Sequence, residues 1–182
     1  MKKRKGMISW SVSIFVFALL FLLIVSAMQL QEYNAVKIFT EDALAASNLA
    51  SAVIDLQEYG ISHDIVIADP DSAYRLYREA MQVNMKLDNG WESNNDTIAG
   101  AVVVLDYIIY NVKDMDVEIY SYGQNTYSTV VENGLGSVSA PNGQLIESTS
   151  VYSRITFPVE GIFEIRTDAV KDKLVDIVNI NN

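Results

Sequence analysis

The chain has 182 residues, half of them apolar, so its length predicts one domain with at most one appendage. Thirteen basic and 23 acidic residues give a net charge of −10, which excludes nucleic acid as an expected partner because its phosphates would repel the chain. The absence of cysteine and the presence of a single histidine exclude disulfides, thiolate metal sites and mechanisms that need two imidazoles.

The charges are distributed unevenly along the chain. No acidic residue precedes Glu32, and an uncharged stretch runs from Gly6 to Gln31. After residue 5 the chain has nine basic and 23 acidic residues, a net charge of −14. The remaining basic residues form the N-terminal tip and are Lys2, Lys3, Arg4 and Lys5.

Residues 7–28 predict a transmembrane helix. Residues 14–25 are twelve consecutive apolar residues without Gly or Pro. At about 1.5 Å per residue, the 22 residues of this stretch span the roughly 30 Å hydrocarbon core of a lipid bilayer. The positive-inside rule keeps the basic leader, residues 1–6, in the cytoplasm and places the acidic remainder outside the cell membrane. The alternative is a signal peptide cleaved after Ala27, because the residues before that bond suit a signal peptidase.

Residues 29–60 predict an amphipathic stalk helix that continues the membrane helix. No Gly or Pro lies between Gly6 and Gly60, and Gly60 is the expected terminator. Thr40, followed by two acidic residues, is a candidate cap, so a break at that point stays open. Apolar residues recur every three or four positions and define a stripe that we expect to be buried in the head or against another subunit. This stripe consists of Val36, Phe39, Ala43, Ala46, Ala50 and Val53.

Residues 61–182 predict an extracytoplasmic α+β head, in which a short helix precedes a mainly antiparallel sheet of four to six strands. Asp69 and Pro70 are typical of a helix start. Strands are expected over residues 102–110, 117–122, 127–131, 150–158 and 161–167, with a turn over residues 111–116. Residues 168–178 fit a helix and a strand equally. The stalk helix is expected to cover one face of the sheet as its second layer.

The polar residues of the head do not predict a catalytic or metal site. His63 is the single imidazole, and its sequence neighbours cannot form a triad with it, since a triad is assembled by the fold. Calcium loops need acidic or amide groups at alternate positions, and dinucleotide loops need three spaced glycines. Neither pattern is present: the acidic residues are Asp64, Asp69 and Asp71, and the glycines are Gly134 and Gly136. We therefore expect no enzyme activity, no cofactor and no metal ion.

Ten tyrosines are many for a chain of this length. Most lie in or beside predicted strands, where aromatic residues are common, so packing within the sheet is their expected role. An adhesive or assembly surface is the alternative, because tyrosine combines a large apolar face with a polar tip.

The order of these segments resembles that of type IV pilin-like proteins. Residues 2–7 resemble a prepilin leader, in which a prepilin peptidase would cut between Gly6 and Met7. More narrowly, the chain resembles the TadE-like minor pilins, or pseudopilins, of tight-adherence (Tad) loci. The resemblance implies a membrane-anchored structural component of a Tad-type pilus or a related secretion assembly. Its implied partners are other pilin-like or assembly-platform proteins.

Ser11 departs from the pattern of that family. Mature pilins of the family carry a glutamate five residues after the cleaved glycine, where it pairs with the terminal amine of a neighbouring subunit. A serine there implies an uncleaved accessory protein, or an initiating or tip subunit, and disfavours the repeating major subunit. The alternative function is a membrane-tethered binding or adhesion domain without connection to a pilus.

Overall fold

The computed structural model describes residues 3–93, 98–161 and 166–177, with side chains from residue 10 onward. Within these ranges the chain forms three helices followed by a five-stranded antiparallel sheet, which confirms the expected α+β class. The elements are α1 (Lys3–Ser51), α2 (Leu56–Ser62), α3 (Pro70–Asn84), β1 (Val103–Lys113), β2 (Asp116–Gly123), β3 (Tyr127–Val131), β4 (Ser150–Glu160) and β5 (Arg166–Asp176).

The strands lie in the order β3-β2-β1-β4-β5, and every neighbouring pair is antiparallel. The turn between β1 and β2 is shorter than the sequence predicts, because Asn111 continues β1. Its side-chain amide accepts a hydrogen bond from the Ile67 backbone N–H (2.9 Å) and donates one to the Ile67 carbonyl (3.1 Å). A residue typical of turns is thereby used to fasten the extended segment before α3 to the sheet.

The ambiguous C-terminal segment is a strand as far as Asp176. All eleven residues of β5 pair with β4, from Arg166 opposite Glu160 to Asp176 opposite Ser150. The strand expected over residues 161–167 lies largely outside the described residues, and β5 begins at Arg166.

The stalk helix ends at Ser51, so the expectation that it continues to Gly60 is wrong. The β-branched residues Val53 and Ile54 pair with the extended chain after α2: Ile54 bridges Ile67, and the Ala68 N–H donates to the Val53 carbonyl (3.2 Å). Asp55 then caps α2, which contains Gly60 within it. No break occurs at Thr40, which is a buried residue inside α1.

The helices and a long loop cover opposite faces of the sheet. α1 packs on β4 and β5, and α3 packs beside α1 on the same face. On the other face, the segment between β3 and β4 places Ala140 and Ile146 over β1 and β2. The core between the helices and the sheet includes Leu44, Tyr77, Met81, Tyr107, Ile109, Val151, Ile155 and Phe157. The expectation that the N-terminal helix supplies the second layer of the head is therefore confirmed.

Candidate functional site

From Trp10 to Leu30, α1 is mainly apolar and is exposed around nearly its whole circumference. Its described portion from Trp10 includes an 18-residue window with a mean hydropathy of 2.7 and no buried residue. A helix with apolar side chains around its whole circumference is compatible with a single-pass membrane anchor. A signal sequence near an N-terminus has the same properties. Gly6 and Met7, the predicted processing site, lie within the first two turns of α1.

The predicted stripe is divided between two environments. Val36 and Ala43 are buried, and Phe39 is half-buried against the same core. Ala46 and Ala50 are exposed, and Val53 lies beyond the end of α1 with 54% of its surface exposed. The structure therefore brings the first half of the stripe onto the sheet and leaves the second half at the surface of the chain.

An open groove between α1 and α3 contains the exposed alanines. It has a volume of about 420 Å³ and a mainly apolar lining that includes Ala46, Ala50, Leu76, Ala80 and Val83. Val83 is 76% exposed. Small residues on one wall of a groove allow another helix to approach closely, so this groove has the shape of a helix-packing surface.

A row of buried polar side chains on α1 faces the head, and we call it the polar seam. It consists of Thr40, Ser47, Asn48 and Ser51, all fully buried. The Asn48 side-chain amide donates to two backbone carbonyls, those of Val151 (3.2 Å) and Lys173 (3.0 Å). The Tyr107 hydroxyl donates to Ser51 Oγ (2.8 Å). Because buried polar groups are costly when unpaired, these bonds fix both the rotation and the height of α1 against the sheet.

The sequence analysis did not single out the polar seam. Its members are at positions 40, 47, 48 and 51, and separations of seven, four and three residues among them place them on one face of a helix. A search that counted Ser, Thr and Asn as candidate buried residues would have found this face.

A second pocket lies between α1 and the β4–β5 hairpin, and we call it the α1–β5 pocket. Its volume is about 370 Å³, and its lining is mainly apolar. Lys37 and Lys171 are its basic residues, and Lys171 Nζ lies 3.1 Å from Glu41 Oε1. This hydrogen bond is the largest cause of a lowered Glu41 pKa, to which the charges of Lys37 and Lys173 also contribute. The remaining lining residues are Tyr33, Val36, Phe157, Val159, Thr167 and Ala169.

The single histidine and its acidic neighbours take structural positions. His63 ends α2 in the left-handed backbone conformation (φ 67°), and its ring centroid lies 6.0 Å from that of Tyr59. Asp69 caps α3, as predicted, by accepting from the backbone N–H groups of Asp71 and Ser72. Asp71 accepts a hydrogen bond from the Tyr122 hydroxyl (2.7 Å). Within the described ranges, no group of three or more His, Cys, Asp or Glu side chains is arranged to hold a metal ion.

Four tyrosines form a packed cluster between α3 and the sheet. The ring centroids of Tyr77 and Tyr107 are 4.6 Å apart, and those of Tyr74 and Tyr122 are 4.9 Å apart. Burial raises the pKa of Tyr107 and of Tyr122 well above the usual range of a phenol. These side chains serve packing, whereas Tyr127 on the edge strand β3 is half exposed.

Comparison of the chain with protein-family models, with curated proteins and with solved structures found no match. Its function is therefore inferred from its architecture and from the surfaces described above.

Proposed function

We propose that this protein is a membrane-anchored, pilin-like structural component of a Tad-type pilus or a related secretion assembly. The observation that carries the proposal is the continuity of α1. One helix of 49 residues has a mainly apolar portion that is exposed from Trp10 onward, and its other end is docked on an α+β head. A helix built in this way transmits force from the membrane to the head without a flexible joint, which suits a subunit of a mechanical assembly.

The groove between α1 and α3 supports this proposal. Ala46 and Ala50 face outward on the same helix as the apolar anchor, so a neighbouring helix packed along the anchor can continue into the groove. In the proposed assembly the second half of the predicted stripe is buried by another subunit, and the first half by the head.

The mass of the mature protein tests the proposed processing. A chain shortened by six residues supports the pilin-like function, because it matches a prepilin-type cut between Gly6 and Met7. A chain shortened by 27 residues contradicts it, since the anchor would be lost. Protease added to intact protoplasts should digest the head, and full protection of the head would refute the proposed orientation.

Single-cysteine cross-linking tests the proposed packing, because the natural chain contains no cysteine. Ala46→Cys and Val83→Cys, each labelled through its thiol with a maleimide that carries a photoreactive diazirine, should form cross-links to other pilin-like proteins when native membranes are irradiated. Ser139→Cys is the matched control, since Ser139 is exposed in the segment between β3 and β4 on the opposite side of the head. Equal labelling of all three positions without groove cross-links would contradict the packing.

A lysine scan of the stripe separates packing within the head from packing between subunits. Ala43→Lys places a charge in the core and should lower the free energy of unfolding by several kcal/mol. Ala46→Lys lies in the open groove and should change the stability of the isolated chain by less than about 0.5 kcal/mol, yet reduce assembly in cells. An Ala46→Lys variant that assembles normally would argue against the groove as an interface.

Ser11 favours the second candidate function, a membrane-tethered extracytoplasmic binding or adhesion domain. Without a glutamate at this position, the pairing that links mature pilins inside a filament is absent. An uncut chain that forms no groove cross-links would support this second function.

A further inference from the structure

The α1–β5 pocket lies close to the end of the apolar anchor. Leu30 is the last aliphatic residue of the exposed apolar portion, before Gln31 and Glu32. At about 1.5 Å per residue, Tyr33 lies roughly 5 Å and Lys37 roughly 10 Å further along the helix axis. The polar layer of one leaflet is about 5–8 Å thick, and tyrosine is enriched at that level of a membrane. Tyr33, at the lower end of the pocket, is thus at the height of lipid headgroups if the anchor spans the bilayer, and Lys37 lies just above them. Because helical side chains tilt toward the helix N-terminus and lysine has a long stem, the Lys37 ammonium reaches back toward the headgroup layer.

The pocket also has basic residues in an otherwise acidic head. Alternation along β5 directs Thr167, Ala169 and Lys171 toward α1, and Lys173 follows in the same phase. Asp172, on the opposite face, is hydrogen-bonded to Asn142 (2.9 Å). Lys37, Lys171 and Lys173 all act on the carboxylate of Glu41, so these four side chains together carry a net positive charge.

We propose that the α1–β5 pocket binds one anionic phospholipid of the leaflet on its own side of the membrane. The acyl-glycerol portion lies on the floor formed by Val36, Phe157 and Val159, and the phosphate faces Lys37 and Lys171. The cavity of about 370 Å³ is within the range of roughly 300–1,000 Å³ that small-molecule sites occupy. The inference rests on the membrane anchor of the proposed function but not on a pilus.

The charge of the pocket and its position next to the membrane favour a phospholipid over a soluble anion or a second copy of the chain. A soluble anion would use the lysines but not the apolar floor. A second copy anchored in the same membrane would bring an identical basic cluster to the same height, and the two clusters would repel each other. An anionic phospholipid is amphiphilic, and its headgroup lies at the lower, Tyr33 end of the pocket.

Native mass spectrometry of the full chain in detergent tests the proposal with three probes: phosphatidylglycerol, phosphatidylcholine and glycerol 3-phosphate. We expect one molecule of phosphatidylglycerol per chain, bound more tightly than phosphatidylcholine. Each removed lysine should weaken the phosphatidylglycerol complex about fivefold, in line with the contribution of a basic residue at an anionic membrane surface. The test variants are Lys37→Gln and Lys171→Gln, and the charge-matched control is Lys113→Gln, whose partner is Glu118 on β2.

A filling variant tests the apolar part of the site. Thr167→Trp occupies the pocket from an exposed position and should abolish the phosphatidylglycerol complex while both lysines remain. Near-ultraviolet circular dichroism of the tyrosine cluster checks that each variant is folded.

Three outcomes of these binding experiments would overturn the proposal. Equal binding of the two phospholipids removes the role of the lysines. Equal binding of glycerol 3-phosphate, unaffected by Thr167→Trp, assigns the pocket to a free phosphate compound. A lipid-free dimer that Thr167→Trp disrupts assigns it to a second copy. Failure of the groove cross-links alone would refute the pilin-like assembly and leave this lipid site intact.

Discussion

Replacement of Asn48 by aspartate tests the polar seam most directly. The Asn48 amide donates to the carbonyls of Val151 and Lys173, and a carboxylate would present an acceptor to both. Loss of two hydrogen bonds costs about 1–3 kcal/mol, and a buried charge without a partner brings the total to about 3–5 kcal/mol. Asn48→Ala should cost less than Asn48→Asp, because it loses the same bonds but buries no charge.

The loss of folding stability caused by Asn48→Asp should increase as the pH rises. Burial against two carbonyl oxygens raises the folded-state pKa of the new carboxyl group above its unfolded value of about 3.9. The added loss of stability is absent below that unfolded pKa and grows by about 1.4 kcal/mol per pH unit until the folded pKa is reached. The variant should therefore be closest to the natural protein at pH 3–4 and furthest from it at pH 7.

The assay is a urea titration of the full chain in mild detergent, followed by the near-ultraviolet circular dichroism of the tyrosine cluster in the head. Asn34→Asp is the matched control, since Asn34 lies on the same helix with its side chain exposed. A loss below about 1 kcal/mol for Asn48→Asp at pH 7, or the same pH profile as Asn34→Asp, would refute the role assigned to the seam.

Two further predictions concern the head. Gly123 has φ +114°, and an added Cβ would lie 2.5 Å from the Leu105 carbonyl oxygen, so Gly123→Ala should cost about 2 kcal/mol or more in the same titration. Gly136→Ala, at φ +71° in open space, should cost only about 1 kcal/mol, and equal losses would contradict the steric argument. Hydrogen bonds from the Ser72 hydroxyl and the Ser72 backbone N–H lower the pKa of Asp69 in the folded protein. The stabilisation of α3 by this cap is therefore complete above the unfolded-state pKa of Asp69. It is lost as the pH falls through the lower folded-state pKa. Asp69→Asn should keep the cap at pH 7 and remove this acid sensitivity, whereas Asp69→Ala should lower the unfolding midpoint at pH 7; thermal scans at pH 7 and pH 3 measure both.

Helix-start residues and strand patterns in the sequence correctly predicted the elements whose formation depends on neighbouring residues. Asp69 and Pro70 give the start of α3, and β3 follows the predicted residues 127–131. The elements that depend on distant partners were less predictable. α1 ends at Ser51 because Ile54 pairs with Ile67. The sequence around Ser51 contains no signal that predicts this contact.

The buried face of α1 shows why the candidate site was predicted only in part. The apolar periodicity predicted that the buried face continues from Ala43 through Ala46 and Ala50. In the structure it continues through Ser47 and Ser51 instead. These serines are accepted in the core because their hydroxyls form hydrogen bonds within it, a condition that hydrophobicity does not reveal. The α1–β5 pocket joins residues more than a hundred positions apart, so it was visible only in the fold.

Because α1 is continuous, the number of residues between its apolar part and the head determines how the head is rotated about the helix axis. Each residue of an α-helix advances the azimuth by about 100°, and the polar seam fixes one end of that rotation. One residue inserted between Leu30 and Val36 would turn the head by about 100° relative to the faces of the anchor. Seven inserted residues would return the head to within about 20° of its original orientation and move it roughly 10 Å further along the helix axis from the apolar part. The length of the sequence between these two points thus sets the direction in which the head faces relative to the apolar part of α1.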